Sequence, residues 1–101
     1  MTFHQVIQGK LKKSLTPSFL TIENESHKHS VPIDSETHFK VVIVSDNFDK
    51  RSAVQRHQLV YTLLAHEFQS GLHALALHTY TPQEWTSIEK TVDSPSCMGG
   101  G

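Results

Sequence analysis

The feature that most constrains the fold is a nearly unbroken β-branched run, Phe39-Lys40-Val41-Val42-Ile43-Val44, in the middle of a chain of 101 residues. Val and Ile are stiff at χ1 and favour the pleated backbone, and a run without clear polar alternation belongs to a strand covered on much of both faces. Such a strand, over residues 38–45, needs strands at its edges and helices on its surface. A chain this short builds a single modest core, so every other segment must be a partner of this one.

Those partners are written in period and capping. Phe3, Val6, Ile7, Leu11 and Leu15 recur at helical spacing and predict an amphipathic helix over 2–15. It ends before Pro17, whose ring pushes Thr16 out of the helical region. Residues 19–25 alternate, with Leu20 and Ile22 on one face, as a half-buried strand does. Ser52-Ala53-Val54-Gln55 is a capping box that opens a helix over 53–69, with room for a break near its start. Its stripe is Val54, Tyr61, Leu64 and Phe68, and Gly71 is its stop. Residues 73–80, His-Ala-Leu-Ala-Leu-His-Thr-Tyr, predict a third strand whose small alanines leave room for a helix to approach. Thr81-Pro82-Gln83-Glu84 joins an N-cap, a first-turn proline and a third-position glutamate, so a last helix begins there and packs Trp85, Ile88 and Val92. Residues 26–35 form a long loop and 93–101 a flexible tail after a domain spanning 1–92.

The order is helix, strand, strand, helix (divisible in two), strand, helix. Adjacent strands one and two pair antiparallel across their loop, whereas a helical crossover makes strands two and three parallel. The expected fold is α+β, a single domain with a mixed three-stranded sheet and helices mainly on one face.

Nine Lys and Arg against ten Asp and Glu give a net charge of -1. That excludes the strongly basic footprint of a protein living on phosphate backbone, so nucleic acid must meet a local patch. Lys50, Arg51, Arg56 and His57 are that patch, at the turn into the long helix, partly offset by Asp46 and Asp49. Cys97, the single cysteine, forms no internal disulfide, and no apolar run marks a signal peptide or a bilayer span. A cytoplasmic protein without membrane contact is expected.

Chemistry of the enzymatic kind finds little support. Cys97 lies in the tail, there is no G-x-S-x-G elbow, and neither G-x-G-x-x-G nor a Walker sequence is present. Asp34 and Glu36 flank the long loop and read as a solvated edge. Among the eight histidines, His27 and His29 lie in the long loop and His73 opens strand three, where imidazoles from distant segments can converge on a metal. An H-x-H in a loop is a weak signal, and solvated or hydrogen-bonded side chains are the plainer reading of His4, His38, His57 and His66.

The wording of several segments is more specific than any of these features. Asn24-Glu25-Ser26-His27-Lys28-His29-Ser30-Val31-Pro32, Ser35-Glu36-Thr37-His38-Phe39-Lys40-Val41-Val42-Ile43-Val44-Ser45, Arg56-His57, His73-Ala74-Leu75-Ala76-Leu77-His78-Thr79 and Thr81-Pro82-Gln83-Glu84-Trp85 resemble the BolA family from about residue 3 to residue 92. The tail Ser94-Pro95-Ser96-Cys97 resembles its bacterial members. The resemblance implies a fold like the class II KH domain and a non-enzymatic regulatory protein with no small-molecule substrate. It implies pairing with a monothiol glutaredoxin, in apo form or across a shared 2Fe-2S cluster completed by glutathione. The family's ligand positions fall on His29 and His73, with His27 a neighbour of the first. It implies equally a DNA-binding transcriptional regulator tied to stress response, cell shape and biofilm. No G-x-x-G joins two helices, which argues against clamping single-stranded RNA.

Overall fold

The computed structural model describes residues 2–26 and 36–92. Helix α1 covers Phe3–Leu15, strand β1 Phe19–Asn24, strand β2 His38–Val44, helix α2 Ala53–Leu63, helix α3 Ala65–Gln69, strand β3 Ala74–Tyr80 and helix α4 Pro82–Val92. The sheet order is β1-β2-β3, antiparallel between β1 and β2 and parallel between β2 and β3. This is the expected α+β arrangement, and β2 is its central strand.

Side chains at alternate positions of β2 explain that centrality. Phe39, Val41 and Ile43 point into the core, where α1 supplies Ile7, Leu11 and Leu15 and the crossover supplies Val60 and Leu64. Lys40 and Val42 on the other side are half-buried, so that face is open over its middle rather than covered along its length. The same opening accounts for Ala74 and Ala76, which are exposed on β3 while Leu75 and Leu77 are buried. The alanines therefore face solvent and not an approaching helix. Among the described residues one end of that face is roofed: Trp85 from α4 stacks on Phe19 at 5.1 Å and tilts against Tyr80 at 5.3 Å between ring centres. Phe19, Val44 and Tyr80 lie in one cross-strand row, and Val44 beneath the aromatic group is wholly buried.

Local signals place the helix ends. Thr2 and Gln5 form a capping box on α1, and the Glu36 carboxylate accepts from the backbone N–H groups of Phe3 and His4 at 3.1 and 3.3 Å. Glu36 thus brings an anion to the helix N-terminus, where free N–H groups and the dipole favour it, and is not merely a solvated loop edge. Thr16 ends α1 in the left-handed region at φ 39°. The last carbonyl of α1, on Leu15, accepts from Ser45 Oγ at 2.6 Å and Asn47 Nδ2 at 2.9 Å, which ties the helix end to the end of β2.

The helical segment over 53–69, expected to be divisible, is two helices. It breaks near its end, at Leu64, and not near its start. Its buried apolar residues are Val60 and Leu64, with Leu59, Leu63 and the expected Phe68 packed against the core; Val54 is 64% exposed, and Tyr61 lies at the rim with its hydroxyl donating to Leu75 O at 3.1 Å. The break turns α3 so that Glu67, 3% exposed, receives Lys10 Nζ on both carboxylate oxygens at 2.8 and 3.0 Å. A buried carboxylate is tolerable only with such a partner.

Leu11 is fully buried between the sheet and the crossover helices. Leu11→Ala should lower the unfolding free energy by about 2–5 kcal/mol, the range for a large-to-small change at a closed site. Urea denaturation followed by circular dichroism measures this, and a loss below about 1 kcal/mol would mean the site collapses around the smaller side chain.

Candidate functional site

Two groups of chemistry-bearing side chains sit at opposite ends of the β2–β3 pair. At the starting end, register aligns His38 with Ala74, which brings His73 beside His38. The two rings meet edge to face, with centres 5.9 Å apart and planes at 83°. Thr37 fixes both partners. Its carbonyl accepts from the backbone N–H groups of His73 at 2.9 Å and Ala74 at 3.1 Å, and its hydroxyl bonds His38 Nδ1 at 2.8 Å. Thr37 is itself held by Ser26, a buried residue whose Oγ accepts from the N–H groups of Thr37 at 2.9 Å and His38 at 3.1 Å. His73 is exposed, so its ring is presented to solvent from a backbone that cannot shift freely. His27 and His29 lie outside the described residues, as do Asp34 and Cys97. Among the described residues no third His, Cys, Asp or Glu joins His38 and His73 in a metal-binding group. The sequence reading missed His38, because alternation along a strand says nothing of which residue of another strand stands beside it.

At the finishing end is the basic patch, and its members have different tasks. Arg56, only 11% exposed in its side chain, donates Nη1 and Nη2 to the two carboxylate oxygens of Glu84 at 2.7 and 3.1 Å. Its Nη1 also reaches Thr79 O at 3.3 Å, its Nε donates to Arg51 O at 3.0 Å, and the guanidinium lies 5.8 Å over the Phe48 ring. A planar fork suits this bidentate use. The guanidinium fastens the start of α2 to the end of β3 and the first turn of α4, which leaves it few donors for a phosphate. Arg51 and Lys50 are exposed; Arg51 Nε donates to Asn47 O at 3.0 Å, and Lys50 holds φ 63° in the tight turn. His57 is half-buried one position beyond Arg56. Close by, a shallow hollow of about 210 Å³ is lined by Asp46, Asp49, Thr81, Pro82 and Gln83. Two carboxylates there repel phosphate and narrow the basic surface to Lys50 and Arg51.

Glu84 also closes the expected capping box, accepting from the Thr81 N–H at 2.9 Å while its own N–H donates to Thr81 Oγ1 at 3.2 Å. The Arg56 hydrogen bonds, then that backbone N–H, hold its carboxyl down at about 2, and Glu84 in turn raises Arg56.

With the geometry in view, comparison with known proteins is decisive. A profile described as "BolA-like protein" matches residues 11–84. The chain belongs to the BolA family. It is 46% identical to the Escherichia coli protein named "DNA-binding transcriptional regulator BolA", covering 100% of this chain and 97% of that one. The Haemophilus influenzae protein of the same name is 49% identical over 100% of this chain and 99% of its own length. Among solved structures, BolA1 from Arabidopsis thaliana superposes with a TM-score of 0.78 at 44% identity, covering 83% of this chain and 96% of that one. The BolA fold is therefore what the sequence pattern anticipated. Among the described residues, no helix is long and apolar enough to cross a membrane.

The Glu84 carboxyl gives a pH prediction with a definite sign. Its folded value of about 2 lies below the unfolded one near ~4.3, so the stabilisation is present above the unfolded value and is lost as pH falls through about 2. Because the carboxylate is 46% exposed, solvent moderates the size of the effect. The stability gap between the parent and Glu84→Gln should be constant above pH ~5 and close between pH ~4.5 and ~2. Denaturant titrations across that range test it, and a gap that persists at pH ~2 would assign the loss to packing instead.

Proposed function

We propose that this BolA-family protein is a non-enzymatic regulator that pairs with a monothiol glutaredoxin, in apo form or across a shared 2Fe-2S cluster with His29 and His73 as its ligands. The observation that carries this reading is the presentation of His73: an exposed imidazole whose backbone is pinned by the Thr37 carbonyl. Imidazole suits iron, and a restrained backbone lowers the entropy lost on ligation. When bound, a cluster with imidazoles on one iron supplies electron transfer at a raised potential. This chain's part is to fix the His73 backbone, hold an imidazole at a strand edge and leave room for the partner. The two ligands proposed on this chain are imidazoles, and its single cysteine, Cys97, lies outside the described residues; in this reading the thiolates come from glutaredoxin and glutathione. The bound group then belongs to an interface and not to this chain alone.

The experiment is to mix the chain with a monothiol glutaredoxin, glutathione, iron and sulfide and to follow visible absorption and circular dichroism. A cluster spectrum different from that of glutaredoxin alone is expected, and His73→Ala should abolish the difference. His29→Cys should retain a cluster and lower its potential, since thiolate donates more charge than imidazole. A mixed spectrum that survives in the double variant His29→Ala, His73→Ala would defeat the reading.

A second reading, transcriptional regulation through duplex DNA in a cytoplasmic setting, is favoured by the names of the bacterial relatives. On this chain Lys50 and Arg51 are its exposed cations. Each of Lys50→Glu and Arg51→Glu should weaken binding to duplex promoter fragments and reduce the slope of log affinity against log salt by about 0.9. Arg56→Gln should lower thermal stability first, because its guanidinium fastens three elements. If the Lys50, Arg51 double reversal bound DNA like the parent, another surface would carry the contact.

A further inference from the structure

We infer that the outer edge of β3 is a self-pairing surface, on which a second copy of this chain adds its own β3 antiparallel about a two-fold axis at Leu77. Two three-stranded sheets then become one continuous sheet. The inference uses neither proposed iron ligand and does not rest on the cluster reading.

The direction of each main-chain group on β3 is fixed by its bonds. Tyr80 O accepts from the Ser45 N–H at 2.9 Å and the Ala74 N–H donates to Thr37 O at 3.1 Å, so the even-numbered residues turn their main chain toward β2. Leu75, Leu77 and Thr79 turn theirs outward. Two side chains of α2 mark that edge: Tyr61 Oη donates to Leu75 O at 3.1 Å and Arg56 Nη1 to Thr79 O at 3.3 Å. Between these bonds the outward N–H and C=O of Leu77 have no partner among the described residues. The far edge of β1 differs. There the Glu25 N–H donates to His38 O, which turns Ile22 outward, and the Ile22 carbonyl is taken by His4 Nε2 at 3.2 Å. An unpaired row of strand groups is a template for another strand, and the open place is the centre of β3.

Register makes the added strand a second β3. An axis at Leu77 sets Leu77 opposite Leu77, Ala76 opposite His78, Leu75 opposite Thr79 and Ala74 opposite Tyr80. On the open face each alanine meets a larger side chain, and no like charges stand opposite one another, the arrangement that destabilises a cross-strand pair. The contact is self-complementary, as a two-fold interface must be. The outer pairs use the second lone pair of Leu75 O and Thr79 O, since a carbonyl accepts twice. The same axis sets Tyr61 of one copy level with Arg56 of the other, an aromatic ring beside a guanidinium. Val54 and Tyr61 share one stripe of α2 along this flank, and their exposures of 64% and 38% are what the second copy covers. A net charge of -1 leaves little repulsion between copies. The seven-residue edge with its helix flank presents roughly 24 Å by 20 Å, below the about 800 Å² per partner of a standard interface, so the dimer is weak.

Sedimentation equilibrium of the full chain should show the average mass rising from one copy towards two between about 50 μM and about 1 mM. A mass that stays at one copy throughout would overturn the inference. Cysteine pairs in a Cys97→Ser background read the register. Across the axis positions 76 and 78 form a non-hydrogen-bonded pair with Cα atoms about 4.5 Å apart, within reach of a disulfide, whereas two copies of position 76 stand on a diagonal of roughly 7–8 Å. A mixture of Ala76→Cys and His78→Cys chains under oxidised glutathione should therefore give at least tenfold more cross-linked dimer than either variant alone, and equal yields would defeat the register. Ala76→Lys with His78→Lys sets lysine opposite lysine and should weaken the dimer at least tenfold, while Ala76→Lys with His78→Glu should restore it. Concentration-dependent amide shifts confined to β1, or a double-lysine dimer as strong as the parent's, would place the contact elsewhere and sink the inference.

Discussion

Parallel strands begin at one edge of a sheet and finish at the opposite edge, and the pairing of β2 with β3 fixes nearly everything else in this molecule. It demands a crossover long enough to return the chain to its starting edge, which α2 and α3 supply. The helices must then lie over the sheet, and Val60 and Leu64 meet Phe39, Val41 and Ile43 beneath them. The same pairing collects the strand starts at one end, with His38 and His73, and the strand finishes at the other, with Arg56 and Glu84. Two chemically different surfaces arise from one topological fact.

The two ends are stabilised differently, and the difference suits their proposed roles. At the finishing end a bidentate ion pair, a capping box and an aromatic roof consolidate the start of α2, the end of β3 and α4. Arg56 looks from sequence like a member of a nucleic-acid patch, yet it supports the surface on which Lys50 and Arg51 stand. At the starting end Ser26, Thr37 and the two imidazoles are joined through hydroxyl, carbonyl and backbone N–H groups. Imidazole nitrogen is a ligand for borderline metal ions, whereas an arginine–glutamate fork is not. Cluster partnership and duplex contact, if both operate, would use opposite ends of the sheet and need not exclude one another.

The interplay of sequence and neighbourhood is plain at particular residues. Ser52 with Gln55 and Thr81 with Glu84 cap helices as their spacing predicts, because capping joins residues three apart and needs no tertiary partner. Val54 and Tyr61 do not face the core although they fall on a helical stripe, since the break at Leu64 and the tilt of the crossover decide which stripe is buried. Glu36 reads as a solvated carboxylate until α1 arrives from 32 residues or more upstream to offer its N-terminus.

What the sequence determined by itself is whatever rests on local covalent rules: the β-branched central strand, the helix starts, the stop at Thr16 before Pro17, and the family wording around His73. Only the tertiary structure decided which residues from distant segments share a neighbourhood. His38 beside His73 follows from strand register, and Arg56 against Glu84 from the path of the crossover. Register and crossover path are set by the burial of the whole apolar face at once, a collective quantity that no single window of residues contains.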